Sequence, residues 1–259
     1  LEQAVDPALA AQRLLEELSL NTSPAVHEAH YDGWVLRASH TDTRRANSVT
    51  ALAPSTLPAA DKIAFCEDWY RTYGQAPVFR MTGLFMPAEI DAMLAARGYR
   101  LEGETHVMSA ALNEIGQSGA PLPAGVKRVE RSEADGLADA HRMKGSDESL
   151  WQRDVQRQGL WKGRQIYLSL KTINGVVCTG LARVEAGHVG IFNMRTADHA
   201  RGKGLATVLV SHLLEWGRGQ GAHHAFLQVD CANAPALAVY RKFGFESSYR
   251  YWYRVHSTS

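Results

Sequence analysis

His199-Ala200-Arg201-Gly202-Lys203-Gly204-Leu205-Ala206 stands between a predicted strand, His188–Thr196, and a helix predicted to run to about Arg218. Two glycines let a backbone turn tightly and approach an anion with no Cβ in the way. A helix opening there aims unbonded N–H groups and the positive end of its dipole at a phosphate or diphosphate. Arg201 and Lys203 add positive charge. The stretch is not a GxxxxGK(S/T) loop, and it lacks the third glycine of a GxGxxG dinucleotide turn.

Downstream runs Asn233-Ala234-Pro235-Ala236-Leu237-Ala238-Val239-Tyr240-Arg241-Lys242-Phe243-Gly244-Phe245. Together the two segments resemble the GCN5-related N-acetyltransferase (GNAT) superfamily. Its loop pattern, R/Q-x-x-G-x-G/A, is met by Arg201, Gly204 and Ala206. Its later pattern, N-x-x-A-x-x-x-Y-x-K/R-x-G-F, is met by Asn233, Ala236, Tyr240, Lys242, Gly244 and Phe245. The likeness covers residues from about Val126 to Val255.

The resemblance implies an α/β (α+β) fold with a mixed, mostly antiparallel, splayed sheet flanked by helices. It also implies an acetyl-CoA-dependent N-acetyltransferase that uses no metal and acts on a primary amine, here expected on a small molecule. The backbone of Met194, Arg195 and Thr196 would bond the pantetheine arm. The amides of Arg201, Gly202, Lys203, Gly204, Leu205 and Ala206 would cradle the pyrophosphate, with Asn233, Ala236 and Tyr240 completing the cofactor site. Tyr240 would also act as general acid toward the departing thiolate. Many family members carry a carboxylate on the third strand as base; His188-Val189-Gly190-Ile191-Phe192-Asn193-Met194 has none. Glu185, His188, Asn193 (by ordering a water) and Asp230 remain open for that role. Acetylation of a protein lysine or N-terminus is the alternative acceptor reading, and a non-catalytic acyl-CoA-binding regulator the alternative class.

Around this centre the chain reads as two units. Gln117-Ser118-Gly119-Ala120-Pro121-Leu122-Pro123-Ala124-Gly125 is a Gly/Pro-rich linker. It divides residues 1–116, a smaller and degenerate GNAT-like half, from residues 126–259, the catalytic GNAT domain. In the latter, a strand at Val126–Glu130 and helices at Glu133–Arg142 and Asp147–Gln158 precede a hairpin about Asn174-Gly175, a dipeptide that tolerates positive φ at both positions. The acceptor pocket is expected near those two helices, around His141–Trp161.

Trp69, Phe79 and Gly98 recur at nearly the mutual spacing of Trp216, Phe226 and Gly244, as though one unit were used twice. Where the second half has its glycine loop, the first has Pro54-Ser55-Thr56-Leu57-Pro58, and proline removes N–H donors. One acetyl-CoA per chain is therefore expected, and removal of residues 1–115 is expected to spare the cofactor contacts themselves at a cost in solubility or acceptor turnover.

Bulk properties narrow the class. With 259 residues, 45% hydrophobic and 21% charged, the chain can bury a core without staples. A net charge of +1 gives no field drawing it to nucleic acid or an anionic membrane. Cys66, Cys178 and Cys231 show no metal or disulfide spacing. The opening Leu1–Asp6 lacks the basic and apolar regions of a signal peptide, and no apolar run would span a bilayer. A cytoplasmic monomer or homodimer is expected, with no nucleic-acid or membrane partner.

Overall fold

In chain order the first elements are α1 (Pro7–Asn21), β1 (His27–Tyr31), β2 (Trp34–Ala38), β3 (Thr50–Ala51), α2 (Ala59–Thr72), β4 (Val78–Met81), α3 (Ala88–Ala96) and β5 (Tyr99–Ala111). Then come β6 (Lys127–Arg131), α4 (Glu133–Lys144), α5 (Glu148–Gln158), β7 (Arg164–Thr172), β8 (Gly175–Glu185), β9 (His188–Thr196), α6 (Leu205–Gly219), β10 (His224–Asp230), α7 (Ala234–Arg241) and β11 (Glu246–His256). This computed structural model describes residues 6–115 and 119–256; residues 1–5 and the linker's Gln117-Ser118 lie outside them.

The chain forms two compact units, and the division does not follow the linker. One unit holds Leu1–His106 with Asp230–Ala232 and Ser248–Ser259; the other holds Val107–Val229 with Asn233–Ser247. The order α2-β4-α3-β5 repeats as α6-β10-α7-β11, each with a positive-φ glycine, Gly98 or Gly244, before its last strand. Those last strands lie elsewhere than chain order suggests. In the first unit β11 stands between β4 and the early part of β5, pairing antiparallel with β4 from Trp252↔Met81 to Val255↔Val78. In the second unit the end of β5 flanks β10, and the order continues β9, β8, β7, β6.

A chain begun at residue 116 therefore lacks a strand of the second unit, which gives the expected cost in solubility a definite cause in the fold. Such a fragment is expected to expose the edge of β10 and to aggregate, measured as loss of soluble protein on expression.

In the first unit, Asp6 caps α1 by accepting the Ala8 amide (3.0 Å), with Pro7 in the first turn. β1 and β2 turn about Asp32-Gly33, at φ 42° and 81°. A Cβ on Gly33 would lie 2.5 Å from the Ala53 carbonyl oxygen, so glycine is required for that approach. Trp34, Leu36, Ile63, Phe79, Ile90 and Leu94 form the core. Buried among aromatic rings, Arg80 is paired with Glu16, its guanidinium 3.9 Å from the Tyr251 ring, and Tyr249 donates its hydroxyl to the same carboxylate. Burial works against the Arg80 charge, and Glu16 together with Tyr251, Tyr253 and Tyr249 more than offsets it.

In the second unit, α6 packs on β7, β8 and β9 through Val208, Leu209, Leu213 and Leu214, while α4 packs on the same strands. Strand alternation separates the two faces: Gly180 looks toward Leu209 and Leu213 of α6, whereas Ser169 and Thr179 look toward Asp139 of α4. The described part of the linker is held on α6, Ala120 N donating to Ser211 Oγ at 2.7 Å.

Candidate active site

β8 and β9 pair in register from Glu185↔His188 to Leu181↔Phe192, and again at Thr179↔Arg195 and Cys178↔Thr196. Between these blocks β9 has one residue more than β8, a bulge at Asn193-Met194, and Asn193 takes φ 52°. Gly180 lies opposite. A Cβ there would meet Met194 Sδ at 2.4 Å, so the missing side chain makes room for the bulge.

On the other side of β9 the parallel pairing with β10 runs from His188↔His224 to Ile191↔Leu227 and stops. From Phe192 onward the two strands part. The backbone of Met194, Arg195 and Thr196 thus lies along a gap at the sheet's centre. Such a gap can accept an extended, hydrogen-bonding ligand arm in place of a strand.

At the end of β9 the chain reaches Arg201–Gly204. Gly202 and Gly204 have φ 75° and 73°, and no atom lies within 4 Å of where either Cβ would stand. Gly204 is the N-cap of α6 and brings no side-chain hydrogen bond; the first intrahelical bond is Val208 N to Gly204 O, 3.1 Å. The amides of Leu205, Ala206 and Thr207 are thereby left without intrahelical acceptors at the positive end of a 15-residue helix. Arg201 pairs with Asp198 at 2.8 Å, both exposed. An anion would find here an open space, free backbone donors and two cations.

Tyr240 approaches from α7. Its side chain is 7% exposed, and its hydroxyl has no hydrogen-bond partner among the described residues. Burial, helped by the nearby Cys178 thiol and opposed by Arg195, pushes its phenol up to about 12. Cys178 and Arg195 both belong to the strand pairs just beyond the bulge. Cys178 Sγ is 3.3 Å from Thr196 Oγ1, and burial raises its thiol to about 11, which leaves it a packed neighbour and no nucleophile at neutral pH.

The other residues expected here are placed as follows. Asn233 caps α7, its Oδ1 accepting the Ala236 amide at 3.2 Å, so its side chain is engaged by its own helix. Glu185 and His188 face each other at the β8–β9 turn, with His188 Nδ1 2.8 Å from Ala186 O. They stand about 16 Å along the strand from the bulge, at the rise of an extended chain. Asp230 accepts the Ala232 amide at 2.7 Å in its own turn. Of the four base candidates, Asn193 is itself part of the bulge.

The Pro54–Pro58 loop shows why the first unit lacks a comparable site. The Asp32 carboxylate accepts the amides of Thr56 (2.9 Å) and Leu57 (2.9 Å) and the Thr56 hydroxyl (2.8 Å), with Lys62 Nζ at 3.2 Å. The Leu57 amide first, then Thr56 and Lys62, hold this carboxyl well below the usual range against the effect of burial. Prolines are thus half of the explanation. The donors that remain are filled by an internal anion, which the Asp-Gly turn dipeptide could have suggested.

No helix of the described residues is long and apolar enough to cross a membrane. Among those residues no three His, Cys, Asp or Glu side chains gather to hold a metal ion.

Residues 10–254 match the family model described as the C-terminal region of the probable histone acetyltransferase Rv0428c. The chain is similar to YobR of Bacillus subtilis strain 168, described as an uncharacterized N-acetyltransferase, at 26% identity over 94% of this chain and 98% of that one. A shorter segment, 21% of the chain, is 42% identical to 29% of the streptothricin acetyltransferase of Streptomyces lavendulae. Among solved structures, a GCN5-related N-acetyltransferase from Kribbella flavida superposes with a TM-score of 0.71 at 14% identity, over 99% of this chain and 98% of that one. The parted strands, the glycine loop and these likenesses agree: the chain belongs to the Rv0428c C-terminal family of the GNAT superfamily, and is an N-acetyltransferase.

Proposed function

We propose that this enzyme transfers an acetyl group from acetyl-CoA to the primary amine of a small molecule. The observation that carries the reading is the parting of β9 from β10 after Ile191, beside the Asn193 bulge. Acetyl-CoA supplies a thioester that an amine can attack. Met194, Arg195 and Thr196 would hold the pantetheine arm by backbone bonds. The amides of Gly202–Ala206, with Arg201 and Lys203, would hold the pyrophosphate. In the corresponding loop of the first unit the Thr56 and Leu57 amides are taken by Asp32, so the expected stoichiometry is one acetyl-CoA per chain.

Tyr240 Oη keeps its proton throughout the neutral range, because its pKa of about 12 lies far above it. It can therefore protonate a leaving sulfur held within reach. Asn193, with its backbone turned to positive φ, is the residue best placed to orient a water that relays the amine's proton.

Tyr240→Phe is expected to lower kcat roughly 10²-fold with acetyl-CoA affinity nearly unchanged. Steady-state release of CoA, read with a thiol-reactive dye beside calorimetric titration, measures both. Equal loss of rate and affinity would make Tyr240 a packing residue.

The acceptor reading draws on the likeness to streptothricin acetyltransferase. A second reading, transfer to a protein lysine, is favoured by the family description. Comparing a panel of small amines with a lysine-bearing peptide at equal concentration decides between them.

A further inference from the structure

On the α4 face of the second unit, one cross-strand row runs Tyr167↔Leu181 and Leu181↔Phe192, and Phe192 directly precedes the Asn193 bulge. Two strand spacings place Tyr167 about 10 Å across the sheet from the bulge. Around Tyr167 lies a buried polar cluster built from α4, α5, β7 and β8. Its charged members form two hydrogen-bonded groups, both acting on Tyr167. Arg157 donates to Asp154 (2.9 and 2.5 Å), and His141 Nε2 is 3.3 Å from the same carboxylate. Arg183 Nε donates to Gln165 Oε1 (2.9 Å), Gln165 donates to Glu133 Oε2 (2.8 Å), and the Arg183 guanidinium lies 5.4 Å from the Trp161 ring.

Within this cluster several buried polar atoms have no partner: Tyr167 OH, Gln158 Oε1, His141 Nδ1, Glu133 Oε1 and the indole nitrogens of Trp151 and Trp161. Tyr167 is 3% exposed, Gln158 5% and His141 9%. These six atoms lie on α4, α5, the segment after α5 and β7, and further donors and acceptors can complete their bonding. The set holds donors, in Tyr167 and the two tryptophans, and acceptors, in Gln158 and Glu133. Trp151 and Trp161 are half-exposed, so the cluster reaches the surface through them.

Charge narrows the occupant. The cations Arg157 and Arg183 are matched by the anions Asp154 and Glu133. Burial lowers Arg183 to about 10, which leaves it charged at neutral pH. A further ion would have no counter-charge in this buried setting. We infer that the cluster receives the far end of the acceptor, and that the acceptor is an amine bearing an uncharged oxygen group, a carboxamide or hydroxyls, several bonds from its nitrogen. This rests on the acetyl-transfer reading above and names the substrate class for that site.

Three amines of equal chain length separate the possibilities: 6-aminohexanamide, 6-aminohexanoate and hexylamine. The amide is expected to show the highest kcat/KM, at least tenfold above 6-aminohexanoate. Tyr167→Phe should raise KM for the amide roughly tenfold by deleting one hydrogen bond, with kcat and the hexylamine parameters unchanged. Trp161→Phe, which removes a second donor from a half-exposed position, should act in the same direction. Tryptophan fluorescence titrated with each amine reads binding without turnover.

Binding of the amide with no turnover of any amine would sink the acetyl-transfer reading while leaving this inference standing. Equal use of all three amines, preference for the carboxylate, or a Tyr167→Phe effect shared by hexylamine would overturn the inference. The cluster would then be a seat for structural water.

Discussion

Gly204→Glu is expected to weaken acetyl-CoA binding at least roughly 10²-fold, below calorimetric detection, while thermal unfolding stays cooperative. At φ 73° a side chain costs about 1 kcal/mol of backbone strain, a small part of a domain's stability. No atom lies within 4 Å of its Cβ, so the carboxylate would enter the open space before α6. There it can accept from the free amides of Leu205–Thr207 and complement the helix dipole. The variant would thus carry its own anion in the space meant for the pyrophosphate, as Asp32 does in the first unit. Gly204→Ala, with the same strain and no charge, should retain most of the affinity. Unchanged binding by Gly204→Glu would remove the basis of the site.

Glu16→Ala is expected to destabilise the protein by about 3–5 kcal/mol, seen as a lower urea midpoint. Its carboxylate is buried, pairs with the equally buried Arg80 and accepts the Tyr249 hydroxyl. Deleting it leaves Arg80 charged among aromatic rings with no counter-ion. Replacing both partners with methionine should cost much less than the single change, because the uncompensated charge disappears with its partner. A single variant as stable as the wild type would show that water reaches Arg80.

Much of the second unit was legible because its signals are local. β9 spans His188–Thr196 as its residues suggest and α6 begins at the glycine loop, while the β7–β8 hairpin turns at Ile173-Asn174, one residue before the expected Asn174-Gly175, with Gly175 already paired to Thr172. The first unit was harder to read. β1, His27-Glu28-Ala29-His30-Tyr31, is polar and half-buried, and only its pairing with the buried β2 makes it a strand. Asp32-Gly33 is nonetheless a hairpin dipeptide of the same kind as Asn174-Gly175. β5 begins as early as Tyr99, because pairing carries its polar start through Gly103.

At the site, the glycine loop and Tyr240 could be read from motifs. The bulge at Asn193 could not, since it depends on register with a strand several residues earlier; an interior strand glycine, Gly180, was its one trace. The polar cluster about Tyr167 was equally hidden, because burial of a polar atom without a partner is a property of packing alone.

The placing of β11 in the first unit has a consequence for synthesis on the ribosome. The first unit's early residues are complete at His106, yet the strand between β4 and β5 begins about 140 residues later. At about 5–20 residues per second, that strand follows roughly 7–28 s afterwards. Throughout this interval β4 and the start of β5 keep unpaired backbone edges, and Glu16 lacks the Tyr249 hydroxyl. The nascent chain thus offers chaperones a lasting target in its first unit. Damage to β11, by a nonsense codon or a protease, would strike the unit whose other strands were made long before it.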